Sequence, residues 1–410
     1  MWRIFALLAA FAPVAAAQDA WVLIPSGTVQ DLRAVHFGTP EVGFAAGAAG
    51  TVLRSMDGGL SWVDASPDAA PDLHDVHFFD IESGVAVGDG GAIYRTLNAG
   101  VDWTLVPSGV DVPLQSVSFV GDVGVAGGGA QTILRSDNRG ATWTVVQTDF
   151  FGGGFPGAHM LDATHAYVAG TNSIFQPLVG MSDDAGVTFD FAAFYLDPNE
   201  GNLRDVHFLT PAIGLVAGVT WDGQGAIART VNGGADWTTT LFASALEAID
   251  FATPSVGYAV GHIAGMLRSP DGGQSWAPTP PLGSAILHDI DFSSATNGVA
   301  VGSSGTIYRG TLTTSDAPAP ARAAAILEAP RPNPSAGRAT VAFHLPAPAP
   351  ATLRLVDPLG RAVALIADGP RAAGRHEVAL DAARLPAGVY RLVLTYGATR
   401  TGVNWVVAGR

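Results

Sequence analysis

Six copies of one eight-residue pattern set the period of this chain and restrict what it can fold into. They read SMDGGLSW (55–62), TLNAGVDW (96–103), SDNRGATW (136–143), SDDAGVTF (182–189), TVNGGADW (230–237) and SPDGGQSW (269–276). The shared form is Ser/Thr, any, Asp/Asn, any, Gly, any, Ser/Thr/Asp, aromatic. Successive closing aromatics are 41, 40, 46, 48 and 39 residues apart, a period that belongs to propellers and related arrays. Asp57, Asn98, Asn138, Asp184, Asn232 and Asp271 can accept bonds from nearby amides, and the glycine supplies positive φ. The aromatics Trp62, Trp103, Trp143, Phe189, Trp237 and Trp276 are then predicted to anchor each turn in an apolar slot. The pattern reads as a structural fastener.

Each unit opens with an alternating segment that reads as a short strand: LRAVHF (32–37), LHDVHF (73–78), LQSVSF (114–119), GAHML (157–161), LRDVHF (203–208), LEAIDF (246–251) and LHDIDF (287–292),. A Gly-bounded second strand such as GVAVG (84–88) follows, then a third such as AIYR (92–95), the eight-residue box, and a fourth strand begun by the aromatic. Four antiparallel strands per repeat make a propeller blade. The last unit stops after Arg309 without a box, and WVLIPSG (21–27) matches WTLVPSG (103–109) at five of seven positions, with Trp21 lying 41 residues before Trp62. The N-terminal strand is therefore expected to complete the last blade, giving an all-β, seven-bladed β-propeller with few open edges.

The box resembles the Asp-box of the bacterial neuraminidase repeat, and the fuller unit GVAVGDGGAIYRTLNAGVDW (84–103) resembles the propellers of the photosystem II stability and assembly factor family. That resemblance, over about residues 20–310, implies a seven-bladed fold and a role in assembling a membrane complex. Similar propellers occur in secreted proteins without that role, so the fold leaves the function open. The Asp-box also raises a sialidase-like, carbohydrate-active enzyme, which resemblance would equip with three arginines and a Tyr nucleophile. Here Arg54, Arg95, Arg135, Arg229, Arg268 and Arg309 share one repeat position before the box, leaving only Arg33, Arg139 and Arg204 without an Arg-Ile-Pro motif. A binding scaffold for a protein or glycan, without catalysis, is the reading the residues favour.

The two ends add routing. MWRIFALLAAFAPVAAA (1–17) has one Arg, an apolar run and small residues at Ala15 and Ala17, the layout of a cleaved secretory signal,. No later run is long enough to span a bilayer. The chain has no cysteine, so an exported fold stands without disulfides,. Residues 18–316 carry 9 Arg against 31 acids, net −22, whereas residues 317–410 carry 11 Arg against 5 acids, net +6. An acidic first domain (18–312) disfavours nucleic acid and anionic membranes. An Ala/Pro-rich spacer (313–334) leads to a predicted immunoglobulin-like β-sandwich (335–410). On Pro332-Asn333-Pro334, LRLVD (353–357), LGR (359–361) and LPAGVY (385–390), residues 326–410 resemble the C-terminal sorting domain of the type IX secretion system. That resemblance implies the secretion machinery as partner and a secreted or cell-surface location. An ordinary interaction module is the alternative.

Two candidate sites remain. His36, His77, Ser118, His159, His207, Asp250 and Asp291 occupy one repeat position on the first strand. They read either as metal ligands or as bridges to neighbouring backbone, and ring geometry spreads them too far apart for a shared ion. Neither a metal nor a cofactor is assigned. Extra length falls at 149–157, 173–179, 191–202 and 219–225, and loops carry function more often than scaffolds do. Phe150, Phe151, Phe155, Phe175, Phe194, Tyr195 and Trp221 are predicted to line a ligand-binding aromatic surface there, with packing of an irregular blade as the alternative.

Overall fold

The computed structural model describes residues 19–313 and 326–408, apart from 147–152, 173, 175, 195, 197–200, 263–264, 346–348, 358–360 and 397–398. The expected signal (1–17), most of the spacer, and Phe150, Phe151, Phe175 and Tyr195 lie outside the described residues. No described helix is long and apolar enough to cross a membrane.

Among the described residues the first domain forms six four-stranded antiparallel sheets and a seventh that continues into the C-terminal unit. The first strand of each sheet packs against the first strand of the next, and that of the last, Leu287–Ser294, packs on Leu32–Phe37 of the first, so these inner strands make a circuit. The N-terminal strand Ala20–Ile24 pairs with Thr306–Thr311 in the register Trp21↔Gly310 and Val22↔Arg309. This repeats Arg54↔Val63 of the first sheet, so Trp21 stands where the box Trp stands elsewhere.

Three devices recur because each solves a packing problem once per repeat. The aromatic that ends the inner strand faces the glycine that opens the second strand, as in Phe78↔Gly84. A Cβ at Gly84 would lie 2.6 Å from the Phe78 ring, so only glycine lets the ring lie flat on the neighbouring backbone,. The box Trp meets that ring edge-on, at 6.0 Å and 90° for Phe78 and Trp103, an orientation aromatic pairs favour,. In the box itself the Ser55 hydroxyl donates to Asp57 Oδ1 at 2.9 Å and accepts from the Gly59 amide at 2.9 Å. Asp57 then accepts from the Ser61 amide and hydroxyl at 2.9 and 2.6 Å. Gly58 and Gly59 both have positive φ, of 70° and 85°, which turns the chain back,.

The shared arginine position ties sheet to sheet. Arg54 donates to Ala99 O at 2.8 Å, Arg95 to Arg139 O at 2.9 Å, Arg135 to Ala185 O at 2.8 Å, Arg229 to Gly272 O at 2.9 Å and Arg309 to Gly58 O at 2.7 Å. Every acceptor is the fourth residue of the next sheet's box. Arg268 has no box ahead of it and pairs instead with Asp19 Oδ2 at 2.7 Å.

The fourth sheet departs from the expected boundaries. Its inner strand is Gly154–Met160, so Phe155 takes the place of the leading leucine and Met160 that of the aromatic. Phe189 packs with Phe155, Phe191 and Met160 as a partly buried member of the same core.

The C-terminal unit has two sheets over one core. Ile326–Leu327, Arg338–Leu345 and Gly374–Asp381 form the first, and Ala349–Val356, Ala362–Ala367, Gly388–Tyr396 and Thr399–Val407 belong to the second. Val341, Phe343, Leu353, Leu392 and Trp405 meet between them. Ile326 and Leu327, expected in the spacer, pair with His344 and Phe343, so this unit begins at least nine residues before 335. Asn333 clamps the last strand, donating to Asn404 O at 3.0 Å and accepting from the Val406 amide at 2.7 Å, while Trp405 Nε1 donates to Ser335 Oγ at 2.9 Å.

Candidate functional site

A register shift follows the leading leucine of six inner strands, between Leu32/Ala34, Leu73/Asp75, Leu114/Ser116, Leu203/Asp205, Leu246/Ala248 and Leu287/Asp289. Each shift leaves one residue without a ladder partner: Arg33, His74, Gln115, Arg204, Glu247 and His288. Bulges of this kind re-aim a side chain. The result is a crown of polar and charged groups at the end where the inner strands start.

The crown is wired together. Arg33 donates to Asp72 Oδ2 at 2.7 Å and to His74 Nδ1 at 3.1 Å, which leaves His74 Nε2–H to donate to Asp89 Oδ1 at 2.7 Å. Glu247 holds His262 at 3.0 Å and Arg204 at 3.8 Å. Burial lowers the His288 pKa, against the carboxylates of Glu247 and Asp31.

The described strands that flank the four stretches of extra length all meet them at this same end. Residues 147–153 and 194–200 join an outer strand to the next inner strand, and 172–176 and 221–224 join a second strand to a third. Both kinds of connection meet the sheets where the inner strands begin, opposite the boxes. Trp221 is 53% exposed here. Phe155 and Phe194 are not part of any surface. They are 0% and 5% exposed, Phe155 in the core with Val168 and Leu178, and Phe194 stacked on Trp237 at 4.9 Å. Sequence reasoning counted them as surface because loop aromatics next to an irregular unit look alike whether they point in or out.

One turn at this end is strained. Gln131 occupies the position held by Gly50, Gly91 and Gly305 in other sheets, with φ of 58°, is 2% exposed, and finds no partner for either amide atom among the described residues. Left-handed backbone and an orphaned buried amide both cost stability. Gln131→Gly is expected to raise stability by about 2 kcal/mol, measured by urea denaturation; a loss of stability would refute the strain.

Further along the inner strands, carboxyls and imidazoles turn to the neighbouring sheet. Asp75 accepts from its own Val76 amide and from Val117 of the next sheet, both at 2.7 Å. Asp205 bridges Val206 and Ile249 at 2.7 and 2.9 Å, and Asp289 bridges Ile290 and Val35 at 2.8 Å each. Asp291 accepts from Phe37 at 2.6 Å, His36 from Phe78 at 3.1 Å and Ser118 from Met160 at 2.9 Å. The column of His36, Ser118 and Asp291 thus staples sheets, as its backbone-bridging reading expected. The parallel column of Asp75, Asp205 and Asp289 went unread, although the Asp two residues before the column repeats in LHDVHF, LRDVHF and LHDIDF. Among the described residues no three His, Asp or Glu side chains converge as a metal site.

The surrounding sheets strip most of the hydration from these groups; His207 and Asp250, 3.1 Å apart, keep side-chain exposures of 17% and 22%. That desolvation decides their charge. Burial pushes Asp75, Asp205 and Asp250 up to about 7 and Asp291 to about 6, and lifts Asp289 well above its usual range. It drives His207 down to about 4 and His77 and His159 well below their usual value.

The three arginines outside the box-binding position do not assemble. Arg33 and Arg204 belong to the crown, whereas Arg139 sits in a box at the opposite end, paired with Asp80 at 3.2 Å and Asp122 at 3.0 Å.

No family model and no curated protein matches the chain. Solved structures do. YCF48 bound to D1 peptide aligns with a TM-score of 0.58 at 18% identity, covering 73% of this chain and 98% of that one. YCF48 from Cyanidioschyzon merolae gives 0.56 at 16% over 71% and 98%, and the WD40 β-propeller domain of Doa1 gives 0.59 at 14% over 72% and 97%. At these identities the likeness is one of fold, and that fold is the β-propeller.

Proposed function

We propose that this chain is an exported binding scaffold, a seven-bladed propeller sealed by its N-terminal strand, which holds a peptide or protein segment on the crown face. The observation that carries the reading is that all four long connections, the bulge-borne crown and the strained Gln131 turn gather at one end of the sheets. Loops placed by a rigid scaffold are where binding residues concentrate. A peptide ligand is favoured over a glycan because the similar YCF48 structure holds a D1 peptide. The same neighbour supports a second reading, in which the captured segment belongs to a membrane complex under assembly. Export rests on the signal-like residues 1–17, and delivery to the surface on the resemblance of residues 326–410 to a type IX sorting domain; within that domain Asn333 and Ser335 fasten the last strand.

The test compares two exposed apolar side chains at opposite ends, Trp221 at 53% and Leu60 at 56% exposure. Capture of envelope proteins by the immobilised full chain is expected to fall roughly 30-fold with Trp221→Ala, the cost of losing one aromatic anchor. Leu60→Ala is expected to leave capture unchanged, and equal effects from both would refute a crown-face site.

A further inference from the structure

The outer strands of the seven sheets are not equally protected. Val63–Asp64, Thr104–Leu105 and Ala277–Pro278 are two residues long, Thr144–Val146 three and Asp190–Ala193 four. Short strands, charges and proline all keep an edge from pairing with another chain. Ala20–Ile24 reaches five residues but is bounded by Asp19 and Pro25. Thr238–Phe242, the outer strand of the fifth sheet, also has five residues and reads TTTLF, free of charge, proline and glycine and rich in β-branched side chains. It is the kind of edge that recruits another strand.

In the structure that edge is covered. The strand Thr399–Val407 of the C-terminal unit lies antiparallel to it in the register Thr239↔Arg400 and Thr240↔Thr399. One sheet therefore runs from the fifth propeller unit through Thr399–Val407 and Gly388–Tyr396 into the C-terminal sandwich. The partners carry opposite charge, net −22 over residues 18–316 and +6 over residues 317–410. Reach is sufficient, because the chain between Thr313 and Ile326 can span on the order of 40 Å when extended.

We propose that the outer edge of the fifth sheet is a strand-addition site, occupied in the intact chain by the chain's own C-terminal hairpin. Main-chain bonding supplies the attachment, as in other strand-addition complexes, and the charge difference favours this occupant over a second propeller. The hairpin thereby caps an edge that would otherwise pair between molecules, and loss of the C-terminal unit opens it. This inference concerns the outer rim and is independent of the crown-face reading.

The chain has no cysteine, so Thr240→Cys with Thr399→Cys introduces the only two thiols. Facing Cα atoms in an antiparallel ladder lie about 4.5–5.5 Å apart, within the span of a disulfide. In the full chain under mild oxidation, this pair is expected to close within the monomer at least roughly tenfold faster than Thr144→Cys with Thr399→Cys, where only the tether brings the thiols together. Equal rates, or disulfide-linked dimers in place of the closed monomer, would overturn the proposal. In the unsubstituted full chain, hydrogen exchange across 238–242 is expected to be slower than across the outer strand 144–146, which pairs with no second described strand; equal exchange would overturn it as well.

Discussion

Replacing Asp19 with alanine is expected to lower the unfolding midpoint of the propeller by roughly 5 °C, the equivalent of about 3 kcal/mol for a domain of this size. Asp19 supplies the counter-charge where the seventh sheet has no box, and the Tyr258 hydroxyl also accepts from Arg268 Nε at 3.1 Å. Its carboxylate pairs with Arg268 at 2.7 Å and accepts from the Tyr258 hydroxyl, while Oδ1 takes the amide and hydroxyl of Thr313 at 2.8 and 3.0 Å. Burial raises its pKa, but the bonds from Thr313 and Tyr258 and the charge of Arg268 outweigh this and hold it below the usual carboxylate range. The pair is well shielded, with side-chain exposures of 9% for Asp19 and 26% for Arg268. Truncation therefore leaves a poorly hydrated guanidinium without its counter-charge, and it frees both ends of the propeller chain at once. Asp19→Asn keeps an acceptor for Thr313 but not the charge, so it is expected to fall between alanine and the parent. A midpoint within 1 °C of the parent for both variants, by calorimetry, would show that strand pairing alone closes the circuit.

What the sequence made legible follows from what repeats. The box, its aromatic and the preceding arginine recur at one spacing because each sheet meets the next in the same way, so Arg54 and Arg309 read as structural before any contact was known. Trp21 was legible because the closing strand copies the residues around Trp103. Asp19 was not, since it acts once and copies nothing. The crown was hidden for a different reason: Arg33, His74 and Glu247 share a position but no chemistry, and it takes the bulge after the leading leucine to turn them to one end. Burial of Phe155 and Phe194 was equally hidden, because the fourth sheet replaces the leading leucine with Phe155 and the inner-strand aromatic with Met160. A shift of frame there makes core residues look like insertions. The covering of Thr238–Phe242 depends on residues about 160 positions away and leaves no local mark, except that TTTLF lacks the guards other edges carry.

The propeller is expected to lose stability as the pH rises from 6.5 to 8. Asp75 and Asp205 hold their protons to about 7 in the folded state, because the neighbouring sheets exclude the water that would solvate the charge. In the unfolded chain a carboxyl loses its proton near 4. Between those values the folded state binds the extra proton, so stability falls with rising pH and levels off once the folded groups have ionised. The buried imidazoles act in the opposite sense. His207 is driven down to about 4, and His77 and His159 are lowered well below their usual value, so below about 6.5 the unfolded chain binds more protons at these sites and stability rises with pH,. The two sets oppose each other in acid; the imidazole contribution fades as the pH passes the unfolded value near 6.5, and the carboxyls set the direction from there to pH 8. Each such proton contributes about 1.4 kcal/mol per pH unit at full slope. Asp205→Asn removes one titrating proton while keeping an acceptor for the Val206 or Ile249 amide, and is expected to flatten the decline by about 0.5 kcal/mol per pH unit, the share of that slope that a group titrating at about 7 retains between pH 6.5 and 8,. Urea midpoints at pH 6.5, 7.2 and 8 in a buffer of constant ionic strength measure the slope. A stability that rises over this interval, or an unchanged slope in Asp205→Asn, would mean that these carboxyls are already ionised in the folded ring.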